Sequence, residues 1–204
     1  MRRTAEQTKE HVLQVAHELF FWHGVRAIGI DRVAAEAGIA PTTLYRLFPS
    51  KDHLVAAYVE RADQAYRKWF AAATAADGRH PRERILALFT ALPEQLPDHG
   101  CRGCAFVMTL TEFPDPGLPA HQQAVTAKTW LRNQLGELTE ELAAAEPVPD
   151  PAALADQLLI ILDGATTTAQ PFGREGPARQ ALTLAELALS ASTTTATTTT
   201  TTRK

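Results

Sequence analysis

Two short helical patterns meet at a glycine in Asp31-Arg32-Val33-Ala34-Ala35-Glu36-Ala37-Gly38-Ile39-Ala40-Pro41-Thr42-Thr43-Leu44-Tyr45-Arg46-Leu47-Phe48-Pro49-Ser50-Lys51. Ile30, Val33, Ala34 and Ala37 recur at the spacing of one helix face, and Gly38 can close that helix in a backbone conformation other residues resist. Pro41 suits the first position of the next helix, where its missing N–H is no loss, and Pro49 ends it. At about 100° per residue, Leu44, Leu47 and Phe48 share one side of this second helix, while Thr42, Tyr45 and Arg46 project from the other. One side is suited to packing and the other to meeting a partner.

Outward from this pair, nearly every segment keeps helical spacing and none shows the alternation of a half-buried strand, so the chain reads as all-α. Upstream, Val12, Leu13, Ala16, Leu19 and Phe20 form the stripe of a first helix that Gly24 can end. Downstream, Ser50 is an N-cap for a fourth helix over about 51–76, with Asp52 near its positive end. A break at 77–81 precedes a helix carrying Ile85, Leu86, Phe89 and Leu92, which Pro93 kinks or ends. After a loop at 97–100 come a short apolar helix over 104–111, a loop at 114–117, long helices over 120–145 and 152–170, and a last helix from about 177 to 191. The threonine-rich end can bury almost nothing. Three regions follow: a three-helix helix-turn-helix domain (1–52), a larger helical domain (53–192) and a disordered tail (193–204).

The whole-chain charge of −3 argues against a protein that coats nucleic acid indiscriminately, but the balance is uneven, with +1 over 1–52 and −4 over the remainder. Two helices joined by a glycine-containing turn form the plan that places a recognition helix in the major groove of double-stranded DNA. The exposed residue types suit that task. Arg46 can donate to guanine or phosphate, Thr42 and Thr43 can contact a base or phosphate near the helix start, and Tyr45 offers a phenolic donor. Lys51 and the N–H groups after Ser50 suggest a second phosphate contact, and Arg32 lies where the flanking backbone would pass. Arg32, Tyr45 and Lys51 therefore read as positioning residues, and Thr42, Thr43 and Arg46 as discriminating ones.

The run from Asp31 through Leu54, with Leu19-Phe20 and Gly24 upstream, resembles the signature of TetR-family repressors over about the first quarter of the chain. The resemblance implies a homodimer with one recognition helix per subunit in successive major grooves of a palindromic operator. It also implies a variable C-terminal domain that binds a small-molecule inducer. The chain departs from the pattern at Leu47, where the family often has histidine, at Ile28, where it often has threonine, and at Ala40, where a hydroxyl residue often caps the recognition helix. The start of that helix is expected to depend on packing rather than on a side-chain cap.

In the family the core of the second domain encloses the inducer pocket, so Trp69, Phe70, Phe106, Met108, Phe113 and Trp130 are read both as core and as candidate pocket lining. Few charges interrupt these apolar faces, which points to a hydrophobic or aromatic effector. The last two long helices are apolar on more than one side, as the dimerisation surface of a four-helix bundle would be. Cys101-Arg102-Gly103-Cys104 has a spacing used for thiol exchange or metal binding, and His99 is close by. A structural zinc normally takes four ligands and no second cysteine pair exists, so no metal or other cofactor is expected and Cys104 is expected to face the interior. A thiol- or metal-responsive regulator using Cys101 and Cys104 is the alternative reading. No acid, base and nucleophile fall at a recognisable spacing, so no enzyme is expected. The opening residues lack the uninterrupted apolar core of a signal peptide and no later run is long enough to span a membrane, so a cytoplasmic protein is expected.

Overall fold

The structure, a computed structural model, describes residues 4–96 and 101–198. Among these residues it has nine α-helices and no strand: α1 (Ala5–His23), α2 (Ile30–Glu36), α3 (Pro41–Leu47), α4 (Lys51–Ala73), α5 (Pro81–Ala91), α6 (Ala105–Glu112), α7 (Pro119–Ala145), α8 (Pro151–Phe172) and α9 (Ala181–Thr198). The chain divides into two compact units, residues 1–66 with 105–128, and residues 67–104 with 129–204. This division differs from the sequence boundary at 52/53: α4 up to Tyr66, α6 and the first part of α7 fall in the same unit as α1–α3.

In the first unit, α1 begins at a reciprocal cap. Gln7 N–H donates to Thr4 Oγ1 at 3.2 Å, and Thr4 N–H donates to Gln7 Oε1 at 2.9 Å. Its buried stripe is the expected Val12, Leu13, Ala16, Leu19 and Phe20. Phe20 meets Tyr58 of α4 edge-on at 5.5 Å, a preferred aromatic geometry. His17 lies in the same layer, stacked on Phe21 and tilted against Tyr58, each at 5.8 Å. Burial pushes the His17 imidazolium pKa below its usual value; Glu18 opposes the shift and Arg61 adds to it. The folded chain therefore holds His17 neutral where the unfolded chain takes up a proton. Stability is expected to fall as pH drops through about 6.5 and to stop falling below the folded pKa. Urea midpoints measured between about pH 8 and pH 5 should decline less for His17→Gln than for the wild type; equal slopes would remove His17 from this account.

In the second unit, His80 caps α5 by accepting from Arg82 N–H at 3.3 Å, while Glu83 reaches back to His80 N–H at 3.1 Å. Arg84 donates to the Thr74 carbonyl at 2.9 Å and pairs with Glu141 of α7, and Arg82 Nε donates to Glu146 at 3.0 Å. The core layers are Leu131, Leu135, Leu138 and Leu142 of α7, Leu154, Leu158 and Leu162 of α8, and Ala181, Ala185 and Leu189 of α9.

Several expected boundaries shift. The fourth helix stops at Ala73, short of 76, where Thr74 Oγ1 turns back to the Phe70 carbonyl at 2.8 Å. α8 runs through Pro171 instead of ending before it. A proline in the last turn costs little there, because Gly173 N–H closes the helix on the Ala169 carbonyl at 2.9 Å. The last helix is preceded by a short 3-10 turn over Pro177–Gln180 and continues to Thr198, so 193–198 are helical rather than part of a tail. Helix propagation from the packed turns adds one bond per residue without a new nucleus, which suffices to extend α9 beyond the packed turn at Leu189. Residues 199–204 and the loop expected at 97–100 lie outside the described residues.

Candidate nucleic-acid interface

The turn between α2 and α3 is closed by two backbone bonds. Ile39 N–H donates to the Ala34 carbonyl at 3.0 Å and Gly38 N–H to the Ala35 carbonyl at 3.1 Å, with Gly38 at φ +64°. This is the Schellman arrangement, and its left-handed residue explains the glycine. His11 Nε2 of α1 donates to the Ala37 carbonyl at 3.1 Å and ties the end of α2 to the first helix. Ala40 gives α3 no side-chain cap, as expected, and Thr43 N–H instead bonds the Ala40 carbonyl at 2.9 Å.

The two faces of α3 separate as the spacing predicts. Leu44 and Phe48 are buried, Leu47 is half-buried, and Ile28 packs into the same core. Thr42, Tyr45 and Arg46 are exposed, with Tyr45 keeping 47% of its surface open. Thr43 is half-exposed and Arg32 of α2 is exposed. An open groove of about 520 Å³ runs beside this face, lined by Ala5 and Thr8 of α1 and by Ile39, Ala40, Thr43, Arg46 and Leu47.

Ser50 caps α4 as expected, accepting from His53 N–H at 3.3 Å, and its hydroxyl also lies 2.8 Å from His53 Nδ1. Lys51 is less free than a simple phosphate ligand. Its Nζ donates to the Arg26 carbonyl at 3.1 Å, and partial burial lowers its pKa while Glu112 and Asp52 push it the other way. Glu112 itself, at the end of α6, accepts from Val25 N–H at 3.1 Å and from Arg26 N–H at 2.6 Å. No sequence pattern marks this residue, since its partners are backbone groups of a turn 86 and 87 positions away.

Phe70 and Trp130 meet edge-on at 5.4 Å in the second unit, with the Arg67 guanidinium 4.4 Å above the Trp130 ring and Trp69 half-buried on the same helix as Phe70. Phe106, Met108 and Phe113 belong to the first unit, where Phe106 contacts Tyr66 edge-on at 6.1 Å and Phe113 is buried. Both cysteines are thiols. Cys101 is the buried one, whereas Cys104, expected to face inward, is half-buried just before α6 begins. The intervening Arg102 carbonyl accepts from Gln170 Nε2 of α8. Among the described residues no three His, Cys, Asp or Glu side chains gather to hold a metal, and His99 lies outside them. No helix among the described residues is long and apolar enough to cross a membrane.

A glycine-closed helix pair with a packed leucine face and an exposed threonine, tyrosine and arginine face defines a helix-turn-helix regulator. Residues 12–58 match the family model of bacterial regulatory proteins of the tetR family. A TetR-type transcriptional regulator from Streptomyces avermitilis is 32% identical, with a TM-score of 0.74 over 91% of this chain and 97% of that one. SCO4454, a TetR-family transcriptional regulator from Streptomyces coelicolor, is 28% identical with a TM-score of 0.83 over 91% of this chain and 96% of that one. The HTH-type transcriptional regulator YjdC from Escherichia coli is 28% identical over 76% of this chain and 80% of its own length. The chain belongs to the TetR family and is a DNA-binding transcriptional regulator.

Proposed function

We propose that this chain is a cytoplasmic homodimeric repressor that binds a palindromic operator and is released by a small hydrophobic or aromatic effector. The observation that carries the reading is the exposed Thr42, Tyr45 and Arg46 face of α3 set against buried Leu44 and Phe48. Thr42, Thr43 and Arg46 would read base edges, and Arg32, Tyr45 and Lys51 would hold phosphates on either side. Two copies would set their recognition helices about 34–36 Å apart, one helical turn of DNA. Support for the dimer comes from α8 and α9, which leave Ile160, Leu184 and Leu187 exposed at 69%, 48% and 60%. An effector acts only through a difference in affinity between the DNA-competent and DNA-incompetent states. The Phe70–Trp130 contact in the second unit, together with the few charges on these apolar faces, is what supports an apolar or aromatic ligand.

Selection of duplexes from a random library at moderate salt tests the DNA half of the reading, and gel shifts of the selected operator with a panel of lipophilic compounds test the effector half. Arg46→Ala is expected to weaken the selected operator by about 5- to 150-fold, the cost of about 1–3 kcal/mol for a base contact, and to relax specificity at one position per half-site. A uniform loss over all sequences would move Arg46 to the phosphate-holding group. In the alternative thiol-responsive reading the signal enters at Cys101 and Cys104. A double serine variant that binds DNA normally but loses all response would favour that reading over a ligand pocket.

A further inference from the structure

We propose that Glu112 is a positioning residue for operator recognition: its carboxylate clamps the α1–α2 turn and thereby sets how α2 and α3 are presented. The inference rests on the DNA-binding reading and adds to it a residue outside the helix-turn-helix. Glu112 is the last residue of α6 and has no basic residue in that last turn to offset it. A negative charge is disfavoured there by the helix's own dipole, so local helix preference does not account for it. What offsets the cost is the turn itself. Both carboxylate oxygens are engaged, Oε1 by Val25 N–H at 3.1 Å and Oε2 by Arg26 N–H at 2.6 Å, the second at the short end for a charge-assisted bond.

The same residue is held from its other end. The Arg26 carbonyl accepts from Lys51 Nζ at 3.1 Å, and Lys51 opens α4 four residues after α3 ends. The Arg26 N–H and carbonyl are thus gripped by an anion from α6 and a cation from the α3–α4 junction. Glu112 also favours the charged form of Lys51 electrostatically. Gly24 completes the seat: it stands at φ +83°, and a Cβ there would lie 3.7 Å from Glu112 Oε1. The turn that fixes where α2 begins relative to α1 is therefore set by side chains outside it.

The variants that separate positioning from charge are Glu112→Gln, which keeps the size but can accept only one of the two N–H groups, and Glu112→Asp, which keeps the charge but falls short of the turn. Full-length protein is measured for Tm, for affinity to the selected operator and to a scrambled duplex of equal length, and for amide exchange at Val25 and Arg26. Both variants are expected to keep the wild-type Tm within a few degrees, to exchange faster at these two amides and to lose at least tenfold on the operator. Affinity for the scrambled duplex is expected to hold or, in Glu112→Gln, to rise, because removing an anion favours phosphate binding in general. Equal losses on both duplexes with a lowered Tm would make Glu112 merely structural, and a wild-type specificity ratio, or wild-type behaviour of Glu112→Asp, would overturn the clamp. Should the wild type itself prefer no duplex, the DNA-binding reading fails on its own account; unchanged exchange at Val25 and Arg26 would then overturn the clamp as well.

Discussion

Phe20→Ala is expected to lower the stability of the protein by about 3–5 kcal/mol, the usual cost of removing a buried phenylalanine. Phe20 keeps 1% of its surface, caps the α1 stripe and meets Tyr58 of α4 edge-on. Its removal leaves a void beside Tyr58 in a unit whose core residues, Val12, Ala16 and Val59 among them, are fully buried, so little can move in to fill it. Against a total stability of about 5–15 kcal/mol for a typical protein, the loss is large enough to depopulate the folded first unit near physiological temperature. Operator binding should fail with it, although no atom of Phe20 would touch DNA. A urea midpoint within error of the wild type would mean that the α1–α4 joint is not the keystone of this unit.

Leu187→Glu and Ile160→Glu are each expected to convert the protein to a monomer at micromolar concentration and to abolish tight operator binding. Both side chains are exposed in the single chain, at 60% and 69%, so the folded monomer should tolerate the change. In the proposed two-fold dimer each substitution occurs twice, and an uncompensated charge confined in an apolar interface costs about 3–5 kcal/mol. A monomer engages one half-site at a time and loses the gain from linking two. Sedimentation should report half the wild-type mass with an unchanged helical spectrum; a dimeric mass for both variants would place the dimer contact elsewhere.

Most of the recognition unit was readable because its signals are local. Gly38, Pro41 and Ser50 act within a few residues of themselves through left-handed backbone, fixed φ and capping, and the structure uses each of them that way. The two faces of α3 follow from helical period alone. What escaped is long-range or depends on context. Glu112 bonds backbone N–H groups, which carry no residue identity, so its role leaves no trace in the pattern. Lys51 has the composition of a phosphate ligand, but its bond to the Arg26 carbonyl depends on where a distant turn comes to rest. Aromatic content marked Trp69, Phe70, Phe106, Met108, Phe113 and Trp130 alike as core and candidate pocket lining, but which rings meet, Phe70 with Trp130 and Phe106 with Tyr66, depends on packing between distant segments. Pro171 and the threonine run were read by propensity, which the ends of already nucleated helices override.

The arginine pairs on α5 bear on how DNA binding can be measured. Arg84 anchors to the Thr74 carbonyl as well as to Glu141, and its side chain is only 13% exposed, whereas the Arg132–Asp156 pair is open to solvent on both sides. Glu141 is itself 49% exposed, so mobile ions, which screen over about 8 Å at physiological ionic strength, weaken both ion pairs, but they leave the bond from Arg84 to the neutral Thr74 carbonyl in place. Ionic strength can accordingly be raised severalfold to strip counterion-driven contacts from a duplex while the scaffold beneath stays assembled, and the slope then counts neutralised phosphates rather than protein lost to melting.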